Sequence, residues 1–74
     1  MSEPNVTEIG RIEAPFRREI VLQNVAHESG MQLLRVRIRE GNRFTILDID
    51  VETAERLAGA MLTWSRQATV GQNQ

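Results

Sequence analysis

The 74-residue chain contains no cysteine, no lysine and no tyrosine, and it has a single histidine, His27, and a single tryptophan, Trp64. Without cysteine there is neither a disulfide nor a thiolate ligand for zinc. A lone histidine can serve at most as a general acid or base. His27 is followed by Glu28, but neighbours on a strand point to opposite faces, so the pair is poorly built for proton transfer. A surface turn histidine is the better reading, and Ser29 and Ser65 have no nucleophile setting. The expectation is therefore a non-catalytic chain with no cofactor and no metal. Apolar runs fall far short of the roughly 20 residues a membrane helix needs. No charged-then-apolar leader is visible either, so a cytoplasmic location is expected.

What is present fits one small domain. The expected division is a disordered tail over 1–5, a domain over 6–69 and a frayed tail over 70–74. A core of this size supplies only about 3–5 kcal/mol, and with disulfides and metals excluded, oligomerisation is the remaining source of stability.

Leu33 to Trp64 is the most informative stretch. A two-residue turn at Gly41-Asn42 places residues opposite each other when their numbers sum to 83. Leu34, Val36, Ile38, Thr45, Leu47 and Ile49 then share one face. Arg35 meets Asp48, Arg37 meets Ile46 and Arg39 meets Phe44 on the other. A one-residue slip would drive arginines into the core, so this register is strongly specified. Gly41 supplies the positive φ of the first turn position, and Asn42 tolerates the second.

Asp50 is placed to cap a helix beginning at Val51. At 100° per residue, Ala54, Leu57, Ala58, Met61, Leu62, Trp64, Ser65 and Ala68 fall in an arc about 160° wide, as expected of a core-facing helix. Trp64 at its edge reads as a core residue. Glu52 and Arg56 form a favourable i,i+4 pair. The helix is expected to end before Gly71. One core of Leu34, Val36, Ile38, Leu47, Ile49, Leu57 and Met61 is expected between sheet and helix.

Arg18 to Glu28 is a strand with two apolar registers. A Ser29-Gly30 turn would align Val21 and Val25 with Leu34, Val36 and Ile38. A Glu28-Ser29-Gly30 turn would align Ile20 and Leu22 with them, and is preferred because it buries more apolar area. Val6 to Glu13 reads as an edge strand closed by Pro15, with Phe16 as an anchor beyond it. The fold class expected is α+β: an antiparallel meander of three to four strands with one C-terminal amphipathic helix packed across one face.

All nine basic residues are arginine and the formal charge is −1, so the whole chain does not advertise nucleic acid. The arginines nevertheless cluster on the hairpin. Two surfaces follow. A mixed outer surface of Ile20, Leu22, Leu33, Phe44 and Ile46 on the second sheet face, or an exposed strand edge, suits a second copy or another protein. The alternative is a single-stranded nucleic-acid site of Arg35, Arg37, Arg39, Arg43 and Phe44, with Phe44 as a stacking platform. The alternation Asp48, Asp50, Glu52 raises a metal site, but Thr53 stands where a calcium loop needs glycine, and Gly59 where it needs glutamate.

The runs Ala14-Pro15-Phe16-Arg17-Arg18-Glu19, Glu28-Ser29-Gly30-Met31, Leu34 to Gly41 and Asp50-Val51-Glu52-Thr53-Ala54 resemble a group of short uncharacterised bacterial proteins. This resemblance, over about Ile9 to Trp64, implies no functional residue. In architecture, a β-meander followed by a helix is similar to the single-stranded-DNA-binding transcriptional coactivator fold, and such a likeness implies fold alone.

Overall fold

The structure, a computed structural model, describes residues 5–72. Strands β1 (Asn5–Ala14), β2 (Arg18–Ala26), β3 (Gln32–Glu40) and β4 (Arg43–Ile49) form one antiparallel sheet in sequence order, followed by helix α1 (Val51–Gln72). The fold is an α+β meander with one C-terminal helix. Asn5, expected in the tail, opens β1, while the rest of the expected 1–5 tail lies outside the described residues.

The hairpin pairs Leu34 with Ile49, Val36 with Leu47 and Arg35 with Asp48, as alternation requires. Gly41 takes φ 62°, whereas Asn42 is not left-handed. Only the first turn position therefore needs glycine, the pattern of a II′ hairpin. Between β2 and β3, the His27 amide donates to the Met31 carbonyl at 2.9 Å and the Gly30 amide to the His27 carbonyl at 3.0 Å. Glu28-Ser29-Gly30 is thus the turn, with Gly30 at φ 94°. Ile20 pairs with Ile38 and Leu22 with Val36, which gathers the longer aliphatic residues of β2, β3 and β4 on one face, called here the helix face. The opposite, arginine face carries Val21, Val25, Leu33, Arg35, Arg37, Arg39, Phe44 and Ile46.

β1 is an edge strand whose register shifts between Glu8 and Gly10, making Ile9 the extra residue of a bulge that discourages further strand pairing. At the other end of the chain, the Ala54 amide donates to the Asp50 carbonyl at 2.9 Å, closing the first helical turn. The helix runs through Gln72, so 70–72 are helical and Gly71 does not lie beyond it. A helical glycine costs only about 1 kcal/mol relative to alanine.

Helix and sheet meet at β3, where Val51, Ala54, Glu55 and Ala58 face Asn24, Gln32, Leu33 and Leu34 across an open groove of about 340 Å³. Beyond Ala58 the helix overhangs. Its 22 residues span about 33 Å, and the molecule measures 57 × 30 × 15 Å with a radius of gyration of 15.1 Å, against about 11 Å for a compact chain of this length. The expected single core between sheet and helix is therefore corrected. Ile49 is buried, but Leu47, Leu57 and Met61 are exposed, and Leu34, Val36 and Ile38 are only half-buried. Trp64, expected in the core, is 69% exposed. The physical reason is the connection: one residue, Asp50, joins β4 to α1, which leaves no length to turn the helix back over the sheet. The most buried side chains, Val25 at 0% and Val21 at 3%, lie on the arginine face. Val25 sits between Val6 and Leu33, and Val21 between Arg11 and Arg37, whose stems cover apolar surface while their charges reach water.

Candidate interaction surfaces

The helix face of the sheet taken together with the helix exposes more large apolar side chains than the arginine face, where Val6, Phe44 and Ile46 are exposed. Ile12 and Leu47 on the sheet, and Leu57, Met61, Leu62 and Trp64 on the overhanging helix, all remain exposed. The accessible surface of the chain is 6231 Å², about 1,600 Å² more than the roughly 4,600 Å² expected of a compact 8.4 kDa chain. A standard protein–protein interface buries about 800 Å² on each partner.

The five residues expected to form one mixed surface are divided by the β2–β3 register. Ile20 and Leu22 lie on the helix face, while Leu33, Phe44 and Ile46 lie on the arginine face. The strongest contributors to the helix-side surface, Met61, Leu62 and Trp64, were placed by sequence in the core. Their apolar arc was legible; the single-residue link that carries the arc past the sheet was the overlooked signal.

On the arginine face most charges have partners. The Arg35 guanidinium donates to both Asp48 oxygens, at 2.8 and 3.0 Å, and holds that carboxyl below its usual range despite partial desolvation. Arg11 donates to Glu19 at 2.8 Å and to Glu8 at 2.9 Å, and its hydrogen bond likewise lowers the Glu19 carboxyl. Arg39 lies 3.7 Å from Glu19 and donates to the Gly41 carbonyl at 3.4 Å. Arg37 is set over the Phe44 ring, 4.8 Å from its centroid. Arg17, Arg37 and Arg43 form no ion pair among the described residues. Of the five residues expected to contact nucleic acid, Arg35 and Arg39 are thus engaged internally, Arg37 stacks on Phe44 and reaches Glu19 through its charge alone, and Arg43 forms no ion pair among the described residues.

Acids read as a possible metal site have other partners. Asp48 takes Arg35, and Glu52 pairs with Arg56 at 3.6 Å. The Asp50 carboxyl is held below its usual range first by the Thr53 hydroxyl and then by backbone amides of the first turn, the signature of an N-cap. Among the described residues, no group of three or more His, Cys, Asp or Glu is placed to hold a metal ion, and no helix is long and apolar enough to cross a membrane.

At the end of the sheet opposite the helix groove, the β1–β2 turn is strained. Phe16 and Arg17 take φ 66° and 61°, a left-handed conformation that costs a non-glycine residue of order 1–3 kcal/mol. Pro15 before them has its φ fixed near −65°, so Phe16 stands where a type II turn would place glycine. The Gly41 amide donates to the Arg17 carbonyl at 3.1 Å and braces the turn from β3. Phe16 does not anchor the fold: it is 83% exposed, and its recorded ring contact is the Arg18 guanidinium, 5.6 Å from the centroid.

No curated protein and no solved structure matches the chain significantly. A family model matches residues 3–67, which takes in the whole sheet and most of the helix, and the chain accordingly belongs to the family of unknown function DUF6967.

Proposed function

We propose that this chain is a small, non-catalytic interaction protein that works as a homodimer, joined through the helix face of the sheet and the overhanging part of α1. The observation that carries the reading is the exposure of Ile12 and Leu47 on the helix face of the sheet and of Leu57, Met61, Leu62 and Trp64 on the helix, left open by the described residues. Exposed apolar surface of this extent marks an interaction site in a water-soluble chain. A second copy is the favoured occupant because it supplies what the chain lacks: pairing adds a core to a domain too small to build one alone. A bacterial, cytoplasmic setting belongs to the same proposal, since a chain without cysteine draws no stability from an oxidising compartment.

Trp64 tests the reading directly, being the sole tryptophan. Its fluorescence emission is expected to shift to longer wavelength as the protein is diluted and the dimer dissociates. Emission fixed at a solvent-exposed maximum from high to low concentration would overturn the proposal.

A further inference from the structure

We infer that the turn end of the sheet is a binding site for single-stranded nucleic acid, built on the strained Phe16-Arg17 turn and the Arg37–Phe44 stack. Strained backbone at a bulky residue persists where the side chain is needed in that position. Inside this chain Phe16 contributes little, being almost wholly exposed with a guanidinium as its ring partner. The use of its position is therefore external.

The surroundings define the ligand. A groove of about 280 Å³ beneath the turn is lined by Glu13, Ala14, Arg17, Arg18, Glu19 and Arg39. A second, of about 120 Å³, is lined by Glu19, Val21, Arg37, Arg39 and Phe44. They share Glu19 and Arg39, so the two adjoin and run from Phe44 to Arg17 of the turn, with Phe16 next to Arg17 at the rim. Glu19 is neutralised by Arg11 and Arg39, and Arg18 lies 3.3 Å from the exposed Glu40. Among the described residues Glu13 forms no ion pair, and neither do Arg17 and Arg37 along the track or Arg43 beside it. The balance is cationic although the whole chain is not. Both phenylalanines of the chain stand at this end, Phe44 under Arg37 on the arginine face and Phe16 at the turn under Arg18, which starts from the helix-face side of β2. Aromatic faces alternating with guanidinium groups suit bases and phosphates in succession. An acidic polypeptide would use the charges but not the exposed rings.

The probe is a fluorescently labelled single-stranded thymidine 20-mer, read by anisotropy at about 50 and 200 mM salt. Affinity is expected to fall with salt, by about 0.7 log units per log unit of salt for each phosphate engaged. The pair Arg17→Gln with Arg37→Gln should flatten that slope by about 1.4. Phe16→Gly should weaken binding about ten-fold through the lost stacking, while raising the melting temperature because glycine relieves the left-handed backbone. That opposition separates a site residue from a merely structural one. Absence of binding at low salt, binding unmoved by these substitutions, a melting temperature that fails to rise in Phe16→Gly, or equal displacement by polyglutamate would each overturn the inference, the last by assigning the site to an acidic protein segment.

Discussion

The two faces of the sheet reverse the usual relation between polarity and burial. The face bearing Arg35, Arg37 and Arg39 holds the two most buried side chains, Val21 and Val25, whereas on the opposite face Leu22 and Val36 are only half-buried and Ile12 and Leu47 are exposed. Long arginine stems and paired carboxylates cover the middle of the first surface, around Val21 and Val25, while Val6, Phe44 and Ile46 at its margins stay exposed. The second has only short contact with its own helix. A face rich in apolar residues is therefore not by itself a core; it becomes one only when something of matching extent can reach it.

Substitutions separate the two faces. The largest effect is expected from Val25→Asp, which would bury a carboxylate at a site with no exposure; the domain should fail to fold, as circular dichroism would report. Met61→Glu is expected next, raising the dimer dissociation constant by about a hundred-fold or more through a charge placed in the apolar seam, while leaving the secondary structure intact. Ile46→Glu, on the arginine face, should leave association unchanged in the same sedimentation assay. If Ile46→Glu dissociates the dimer and Met61→Glu does not, the faces have been assigned the wrong way round. Gly41→Val should cost about 1–2 kcal/mol in chemical denaturation, because a β-branched residue resists φ 62°.

Much of this was legible in residues. Gly41-Asn42 and the alternation from Leu34 to Ile49 specify the hairpin register because a slip exposes aliphatics and buries arginines. Asp50 announces the cap for the same local reason, and Arg35 opposite Asp48 follows from the register. The β2–β3 alignment required choosing between two turn lengths; the one preferred for burying Ile20 and Leu22 is the one found, although Val21 and Val25 on the other face are the more deeply buried. The helix's position was not legible from its apolar arc, since an arc states which side wants covering and not what covers it. Nor was the Phe16-Arg17 conformation, because those residue types ordinarily avoid positive φ.

Acid should act more gently. Asp48, Glu19 and Asp50 all have carboxyls lowered in the folded state, by Arg35, Arg11 and the Thr53 hydroxyl respectively. Their stabilisation is complete above the ordinary values of 3.8 for aspartate and 4.5 for glutamate, and is lost as pH falls through the lower folded values. Melting temperature should thus be flat near neutrality and decline below about pH 4. Asp50→Ala should lower the melting temperature by several degrees and soften that decline. The smallest change is expected from Arg35→Gln, because a solvated ion pair contributes little.

Light scattering on the wild-type chain at about 100 μM tests the central claim, that the roof of the helix face is a second copy. The expected molar mass is about 17 kDa, twice the 8.4 kDa of the chain, and Met61→Glu should return it to the single-chain value. A wild-type mass of 8.4 kDa held to the highest attainable concentration would contradict the account.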